Sequence, residues 1–224
     1  FADGVGTENI TIPIIHDTVN ENGETFTVSL ANPTSQYGVI SVSTETCTIT
    51  ITNDDSSEIS FSALTSTTTE GSTHLVQIQR TDSNGTATVD YVLGGGASTA
   101  TSNIDYSSTG ANVSFADGQS SVDIPVVVAS DSINEGNETI EVTLSNATSQ
   151  YGSISIHANN THTITITDDD SSSLYTEPYS SAVNETNAGT FLHTITVHRT
   201  DTNGEARVDY ATSDVTATAG ADYT

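Results

Sequence analysis

The sequence predicts an all-β protein built as a tandem repeat of one β-sandwich. Apolar and polar residues alternate in short segments separated by turn residues, which is typical of half-buried strands, and no helical periodicity is evident. The chain also repeats itself. The tetrapeptide Phe-Ala-Asp-Gly at residues 1–4 returns at residues 115–118, and residues 48–55 return with few changes at residues 163–170. A fixed period of this length indicates an array of one structural unit.

The repeat predicts where the copies begin and end. Residues 1–55 read as the C-terminal half of one copy, 56–170 as a complete copy, and 171–224 as the N-terminal half of a third. The N-terminal halves agree because Arg-Thr-Asp-Ser-Asn-Gly at residues 80–85 returns as Arg-Thr-Asp-Thr-Asn-Gly at residues 199–204. We therefore expect the chain to be a piece of a longer array.

The complete copy divides into predicted strands at residues 58–64, 75–80, 86–92, around 113–115, 121–128, 139–144 and 162–167. About seven strands in roughly 115 residues match an immunoglobulin-like Greek-key sandwich. Pro125 removes a ladder donor and so predicts an edge strand or a bulge. Tyr106, Phe115 and Tyr151 are expected to close the ends of the core. The predicted inward-facing residues are Val76, Ile78, Val89, Tyr91, Ile124, Val126, Ile140, Val142, Leu144, Ile164 and Ile166.

Charge restricts the partners. The formal net charge is −26, with three arginines and no lysine. A chain without a basic face does not bind nucleic acid non-specifically, and it is disfavoured at anionic membranes. No apolar run approaches the ~20 residues of a membrane span. We therefore expect cations as partners, and no nucleic acid or direct membrane contact.

Acidic residues follow the predicted strands of the complete copy at positions that can share one pole of the sandwich. Gathering so many carboxylates without basic residues is repulsive unless a cation binds. Ca²⁺ takes six to eight oxygen ligands, whereas zinc prefers the His and Cys that this set lacks. The candidate ligands are Glu70, Asp105, Asp131, Glu135, Glu138, Asp168, Asp169 and Asp170.

Catalysis finds little support in the sequence, so we expect no enzyme. None of the six histidines recurs at the equivalent position of another copy, and tryptophan, the usual platform for sugars, is absent. His157 and His162 could meet near the last strand, but two ligands make a poor zinc site. Cys47 is expected to be a half-buried packing residue. Several Asn-x-Ser/Thr sequons are compatible with a glycoprotein.

The ordered set of motifs resembles the Calx-beta domain. The carrying residues are the Asp131-x-x-x-Glu135-x-x-Glu138 run and the Thr-Ile-Thr-Ile-Thr-Asp-Asp-Asp segment at residues 163–170. In the N-terminal half, Glu70, Arg80 and the Asp-Tyr pairs at residues 90–91 and 105–106 agree with the family's early motifs. The resemblance covers the whole chain, as half, whole and half copies. It implies an immunoglobulin-like sandwich that binds Ca²⁺ at one tip, near the junction with the next domain.

The resemblance extends the ligand set to the other copies. It implies Asp17, Glu21, Glu24, Asp54 and Asp55 in the first copy, and Glu185 and Asp222 in the third. Asn53 stands where the complete copy has Asp168. The loss of one charge implies fewer ions or weaker binding in the first copy.

Together these features predict a calcium-binding stalk of tandem sandwiches in a large extracellular surface protein, adhesin, matrix protein or filament. Ca²⁺ would cancel repulsion at the junctions and stiffen them. Two other readings stay open: a regulatory Ca²⁺ sensor attached to a membrane transporter, and a metal-independent structural filament subunit. Further partners would be neighbouring repeats, other copies in a filament, or an adhesive ligand.

Overall fold

The computed structural model describes residues 1–43, 46–107, 110–184 and 189–224, and within them it contains strands and no helix. Consequently, no described segment is a helix long and apolar enough to cross a membrane. The first copy contributes β1 (Glu24–Ser29) and β2 (Thr46–Ile51). The complete copy contributes β3 (Ser56–Phe61), β4 (Thr65–Thr69), β5 (Thr73–Arg80), β6 (Ala87–Leu93), β7 (Ala111–Phe115), β8 (Ser121–Val127), β9 (Glu138–Ser149), β10 (Ser153–Ile156) and β11 (Thr161–Thr167). The third contributes β12 (Leu174–Glu177) and β13 (Thr196–Arg199).

The complete copy is a sandwich of two sheets. One sheet has the order β10-β3-β5-β8, and the other has the order β4-β11-β9-β6-β7. Most neighbours are antiparallel, but β10 runs parallel to β3 and β4 runs parallel to β11. The predicted immunoglobulin-like sandwich is thus confirmed.

The core lies between the sheets and follows the alternation of the strands. Every residue predicted to face inward is buried, and Ile59, Phe61 and Leu93 join them. Burying a side chain of this size contributes about 1.5–3 kcal/mol to the free energy of unfolding. All of these buried residues belong to the complete copy, which therefore has its own hydrophobic core. Tyr106 and Phe115 are buried as expected, whereas Tyr151 is only half-buried and lies at the surface where the first copy packs.

Two strands were not predicted from the sequence. β4 consists of Ser and Thr without apolar alternation, and β10 is four residues long; both lie at sheet edges. Pro125 lies in β8, which is an edge strand of its sheet, as its missing N–H requires. Cys47 is exposed, contrary to prediction, because β1 and β2 form a two-stranded sheet with no second layer against them.

Arg80 stabilises the pole of the complete copy that faces the first copy. It is 5% exposed, and its guanidinium donates hydrogen bonds to the carbonyl oxygens of Ser83, Gly85, Ala116 and Gln119 at 2.7–2.9 Å. Its Cζ also lies 5.3 Å from the centre of the Phe115 ring. Arg80 therefore holds the turn after β5 in place.

Candidate metal centre

The opposite pole of the complete copy gathers five chain segments. Glu70 directly follows β4, Asp105 lies between β6 and β7, Asp131 follows β8, Glu138 opens β9, and Asp168 follows β11. Backbone hydrogen bonds hold these segments together: Gly71 N donates to Ala129 O at 2.9 Å, and Ala129 N donates to Asp105 O at 2.8 Å. Residues from 70 to 170 in sequence thus come within reach of one another.

One group of carboxylates consists of Glu70, Asp131 and Asp170. An oxygen atom from each lies within 4.8 Å of the others. The Asp131 carboxylate accepts a hydrogen bond from Ile133 N at 2.7 Å, which folds its loop back toward the pole.

A second group consists of Asp105, Glu135 and Glu138, again with oxygens within 4.8 Å of one another. Asp105 is fixed by its own loop, because its Oδ2 accepts a hydrogen bond from Thr101 N at 2.6 Å. A small cavity lies between the two groups, lined by Glu70, Asp105, Asp131 and Glu138 together with Ile104, Ala129 and Ile166. The two groups are therefore halves of one acidic pole.

The carboxylates disturb one another's ionisation. Burial, followed by the charge of Asp105, raises the pKa of Glu138 to about 7. Burial and the Asp131 charge also raise the pKa values of Glu70 and Glu135. Every raised pKa means that the negative form is disfavoured in the folded protein without a cation.

Three carboxylate oxygens are buried without a hydrogen-bond partner among the described residues: Asp168 Oδ1, Asp170 Oδ2 and Asp201 Oδ2. The other oxygen of Asp168 accepts a hydrogen bond from Glu135 N at 3.3 Å. Buried polar oxygens in native proteins are ordinarily paired. Unpaired carboxylate oxygens at an acidic pole are the donors that a hard cation requires.

Asp169 differs from most of the other candidates in its exposure, although its charge helps to raise the pKa of Asp170. It is exposed and belongs to neither carboxylate group, because its side chain alternates away from those of Asp168 and Asp170. Of the eight acids selected in the complete copy, six form the two groups, Asp168 joins them through its hydrogen bond from Glu135 N, and Asp169 lies outside.

The first copy has a looser acidic cluster. Burial and the charges of Glu24, Asp17 and Asp55 raise the pKa of Glu21, so these three acids lie near Glu21. Asp54 is exposed and lies 3.9 Å from His16. No three carboxylates of this copy approach as closely as those of the complete copy within the part of the chain that the structure describes.

In the third copy Asp222 repeats the loop of Asp105. Its Oδ2 accepts a hydrogen bond from Thr218 N at 2.8 Å, and its backbone N donates to Thr218 O at 2.9 Å. Glu185 lies outside the described residues. Asp222 is exposed and belongs to neither carboxylate group of the complete copy.

Asp201 is not among the ligands predicted from the sequence, where it is only part of the repeated segment at residues 199–204. It belongs to the third copy, yet its charge helps to raise the pKa values of Glu135 and Asp170 in the complete copy. Two residues further on, Asn203 Nδ2 donates to Asn134 O at 3.4 Å across the same junction. The only sequence feature that could have indicated this contact is the repeat, in which Arg-Thr-Asp returns at residues 199–201. The structure places that acid beside the pole of the preceding copy.

His162 has Ala63 and Ser66, and not His157, as its hydrogen-bond partners among the described residues. It is 3% exposed; its Nδ1 lies 2.7 Å from Ala63 O, and its Nε2 lies 2.7 Å from Ser66 Oγ. Ser66 Oγ also lies 2.7 Å from His74 Nε2. These contacts satisfy His162 within the sandwich, away from the acidic pole.

The chain is similar in sequence to a known domain family and to a curated protein. The sequence model of the Calx-beta domain matches residues 1–55, 52–170 and 167–224. Adhesion G-protein coupled receptor V1 of Danio rerio is 30% identical over 185 residues, which are 73% of this chain and 3% of that receptor. The chain thus spans only a small part of its curated relative.

Solved structures also resemble the chain. The apo-form Calx CBD1 domain has a TM-score of 0.46 and 22% identity, covering 51% of this chain and 98% of that domain. The calcium binding domain CBD12 of CALX1.1 has a TM-score of 0.44 and 22% identity, covering 50% of this chain and 46% of that one.

Proposed function

The chain belongs to the Calx-beta family, and from that membership we propose that it is a non-catalytic, Ca²⁺-binding segment of tandem β-sandwiches. Its acidic pole would hold Ca²⁺ at the junction with the following copy. The observation that carries the proposal is the convergence of seven carboxylates, with unpaired buried oxygens, at one pole.

The donor set fits a hard cation. All candidate ligands at the pole are carboxylates, which suit Ca²⁺ better than a transition metal. Mg²⁺ demands a tighter octahedral geometry and keeps its waters, whereas the spread of donors over five segments suits the larger and more variable shell of Ca²⁺. The residues that would hold the ion are Glu70, Asp105, Asp131, Glu135, Glu138, Asp168 and Asp170.

No arginine among the described residues forms a salt bridge with this pole, and Arg199 at the junction with the third copy donates instead to the carbonyl oxygens of Asn203 and Gly204. In the described part of the chain the salt bridges are His16–Asp54 and Arg207–Glu205, and neither reaches this pole. The buried guanidinium of Arg80 lies at the other end of the sandwich, where it hydrogen-bonds to backbone oxygens. A bound Ca²⁺ would supply the positive charge that the sequence does not.

Ca²⁺ would connect folding to the junction. Asp201 of the third copy lies close enough to raise the pKa values of Glu135 and Asp170. A cation at the pole would therefore attract carboxylates of both copies. Extracellular modules often bind with Kd values of about 10⁻⁴–10⁻³ M. Binding to the folded state alone then adds about 2.7 kcal/mol at 100 times Kd.

An extracellular stalk or adhesin is the setting we propose for this segment. The similarity to an adhesion receptor supports it, as does a charge of −26 without lysine, which a saline, Ca²⁺-rich medium would screen. Labelling of intact, unpermeabilised cells with an antibody against the chain tests this setting. A signal that appears only after permeabilisation would contradict it and would favour a cytoplasmic sensor.

Calorimetry of the whole chain tests Ca²⁺ binding. We expect Ca²⁺ to raise the melting temperature relative to the same protein in EDTA. The control solutions contain Mg²⁺, or NaCl at equal ionic strength. If either control restored the melting temperature as fully as Ca²⁺, screening rather than a specific site would be responsible, and a metal-independent structural role would be favoured.

A further inference from the structure

Asn20 is the most completely buried polar side chain of the first copy, although it lies in the exposed acidic loop between Asp17 and Glu21. It is 1% exposed. Its Nδ2 donates to Tyr151 O at 3.1 Å and to Ser153 O at 2.9 Å. Its Oδ1 accepts from Ser153 N and from Asn53 Nδ2, both at 3.2 Å. Both donor hydrogens and both acceptor sites of the amide are therefore used.

The backbone of Asn20 is held by the same neighbour. Its N–H donates to the Asp82 carboxylate, and its carbonyl oxygen accepts a hydrogen bond from Asn84 Nδ2 at 3.2 Å. Apart from Asn53, every one of these partners belongs to the complete copy. One residue of the first copy thus makes most of its hydrogen bonds with the next copy.

The receiving surface requires a glycine. A Cβ at Gly152 would lie 1.6 Å from Asn20 Oδ1, and the φ of Gly152 is +54°, which L side chains rarely adopt. The segment Tyr151-Gly152-Ser153 therefore forms a pocket for an amide side chain, and we call it the asparagine socket. Its backbone supplies two acceptors and one donor, the complement of an asparagine amide.

Both halves of this contact recur along the chain. Asn134 occupies the position of Asn20 in the second acidic loop, and its carbonyl oxygen accepts from Asn203 as that of Asn20 accepts from Asn84. Tyr37 and Gly38 repeat the socket sequence in the first copy, where Tyr37 is 83% exposed and Gly38 has a φ of +72°. The kind of partner that fits this surface is an acidic loop with an asparagine, from another repeat.

We propose that Asn20 and the asparagine socket form a latch that fixes the joint between the first and second copies without a cation. The hydrogen bonds of Asn20 satisfy its polar groups, so the latch leaves no buried donor or acceptor for a metal to complete. This differs from the junction after the complete copy, where three carboxylate oxygens are buried and unpaired. The inference goes beyond the proposed Ca²⁺ function and does not depend on it.

Hydrogen exchange of the Ser153 amide in the full chain, measured by NMR in EDTA, tests the latch. We expect slow exchange in the wild type, because Ser153 N donates to Asn20 Oδ1. Asn20→Ala should accelerate it by about tenfold or more. Asn20→Asp, which keeps the size but loses the Nδ2 donors, should also accelerate it. Amides of β9 and β11 should stay protected, showing that the sandwich is still folded.

Asn134→Ala is the matched control, because it removes the equivalent side chain of the other junction and should leave Ser153 unchanged. Gly152→Ala should displace the Asn20 side chain and so accelerate hydrogen exchange of the Asn20 backbone N–H. Equal exchange of Ser153 in the wild type and Asn20→Ala would overturn the latch. Protection of Ser153 in Ca²⁺ but not in EDTA would also overturn it, whatever the fate of the Ca²⁺ proposal.

Discussion

The carboxyl groups of Glu138 and Asp105 lie within 4.8 Å of one another, although they come from different strands and loops. Burial, followed by the charge of the nearby Asp105, raises the pKa of Glu138 to about 7. The folded protein therefore holds a proton on Glu138 at pH values where the unfolded chain, with a pKa near 4.5, has lost it. This relationship connects pH, stability and cation binding at one pole.

The first prediction concerns pH in EDTA. The destabilisation from Glu138 is absent below about pH 4.5 and complete above about pH 7, because the folded state binds the extra proton between these values. Glu138→Gln removes this ionisation. Its melting temperature should exceed that of the wild type by an amount that grows from pH 5 to pH 8.

The difference between the two proteins is the quantity to follow, because other groups also titrate. Burial lowers the pKa of His74, so protonation of His74 opposes folding as the pH falls below 6.5. Both proteins share that effect. A difference in melting temperature that stays constant from pH 5 to pH 8 would contradict the assignment to Glu138.

A second prediction separates a ligand from a bystander within the acidic pole. Asp131 belongs to one carboxylate group, whereas Asp169 is exposed and belongs to neither. Asp131→Asn should weaken Ca²⁺ binding on the order of tenfold or more, since ligand charge sets affinity in such sites. Asp169→Asn removes the same charge and should bind Ca²⁺ nearly as the wild type does.

Isothermal titration calorimetry of both variants at equal ionic strength measures this difference. If the two substitutions weakened binding equally, Ca²⁺ would respond to the general negative field of the chain, and the pole would not be a defined site.

A third prediction concerns Arg80 at the opposite pole. Arg80→Ala leaves four carbonyl oxygens without their donor and removes the cation from the Phe115 ring. Hydrogen bonds to charged groups contribute about 1.5–3 kcal/mol each, so we expect a loss of ~3 kcal/mol or more in urea unfolding. Arg80→Lys should recover only part of it, because an ammonium lacks the planar fork.

Arg207→Ala is the control for Arg80, because Arg207 is 92% exposed and paired only with the exposed Glu205. It should leave the free energy of unfolding unchanged. A similar loss in Arg80→Ala and Arg207→Ala would mean that positive charge in this acidic chain, and not the hydrogen bonds, stabilises the fold.

The sequence predicted the parts of this molecule that alternation and repetition encode. Buried strands such as β9 and β11 were found because one face is apolar at every second residue. β4 was not predicted because its Ser and Thr residues carry no such pattern. It is defined by its pairing with β11, which is distant in the sequence. The acids of the pole were found because they recur beside strand ends.

The contacts between copies could not be read in the same way. Asn20 looks like an ordinary polar loop residue, and its burial depends on Ser153, 133 positions away in the chain. Asp169 and Asp168 are adjacent acids, and only the alternation of side chains beyond β11 separates their environments. Spacing indicates which residues share a pole, while packing decides which of them face each other.

The last prediction exchanges the chemistry of the two junctions. Asn53 Nδ2 donates to Asn20 Oδ1 and to Asp55 O, whereas Asp168 at the equivalent position has no side-chain hydrogen to donate and leaves one oxygen unpaired. Asn53→Asp should therefore accelerate exchange of the Ser153 amide in EDTA, by loosening Asn20, and strengthen Ca²⁺ binding to the first copy. Asp168→Asn should do the reverse at the other junction: it should raise the melting temperature in EDTA and weaken Ca²⁺ binding. If both substitutions shifted stability in EDTA in the same direction, this position would not determine whether a junction is held by hydrogen bonds or by a cation.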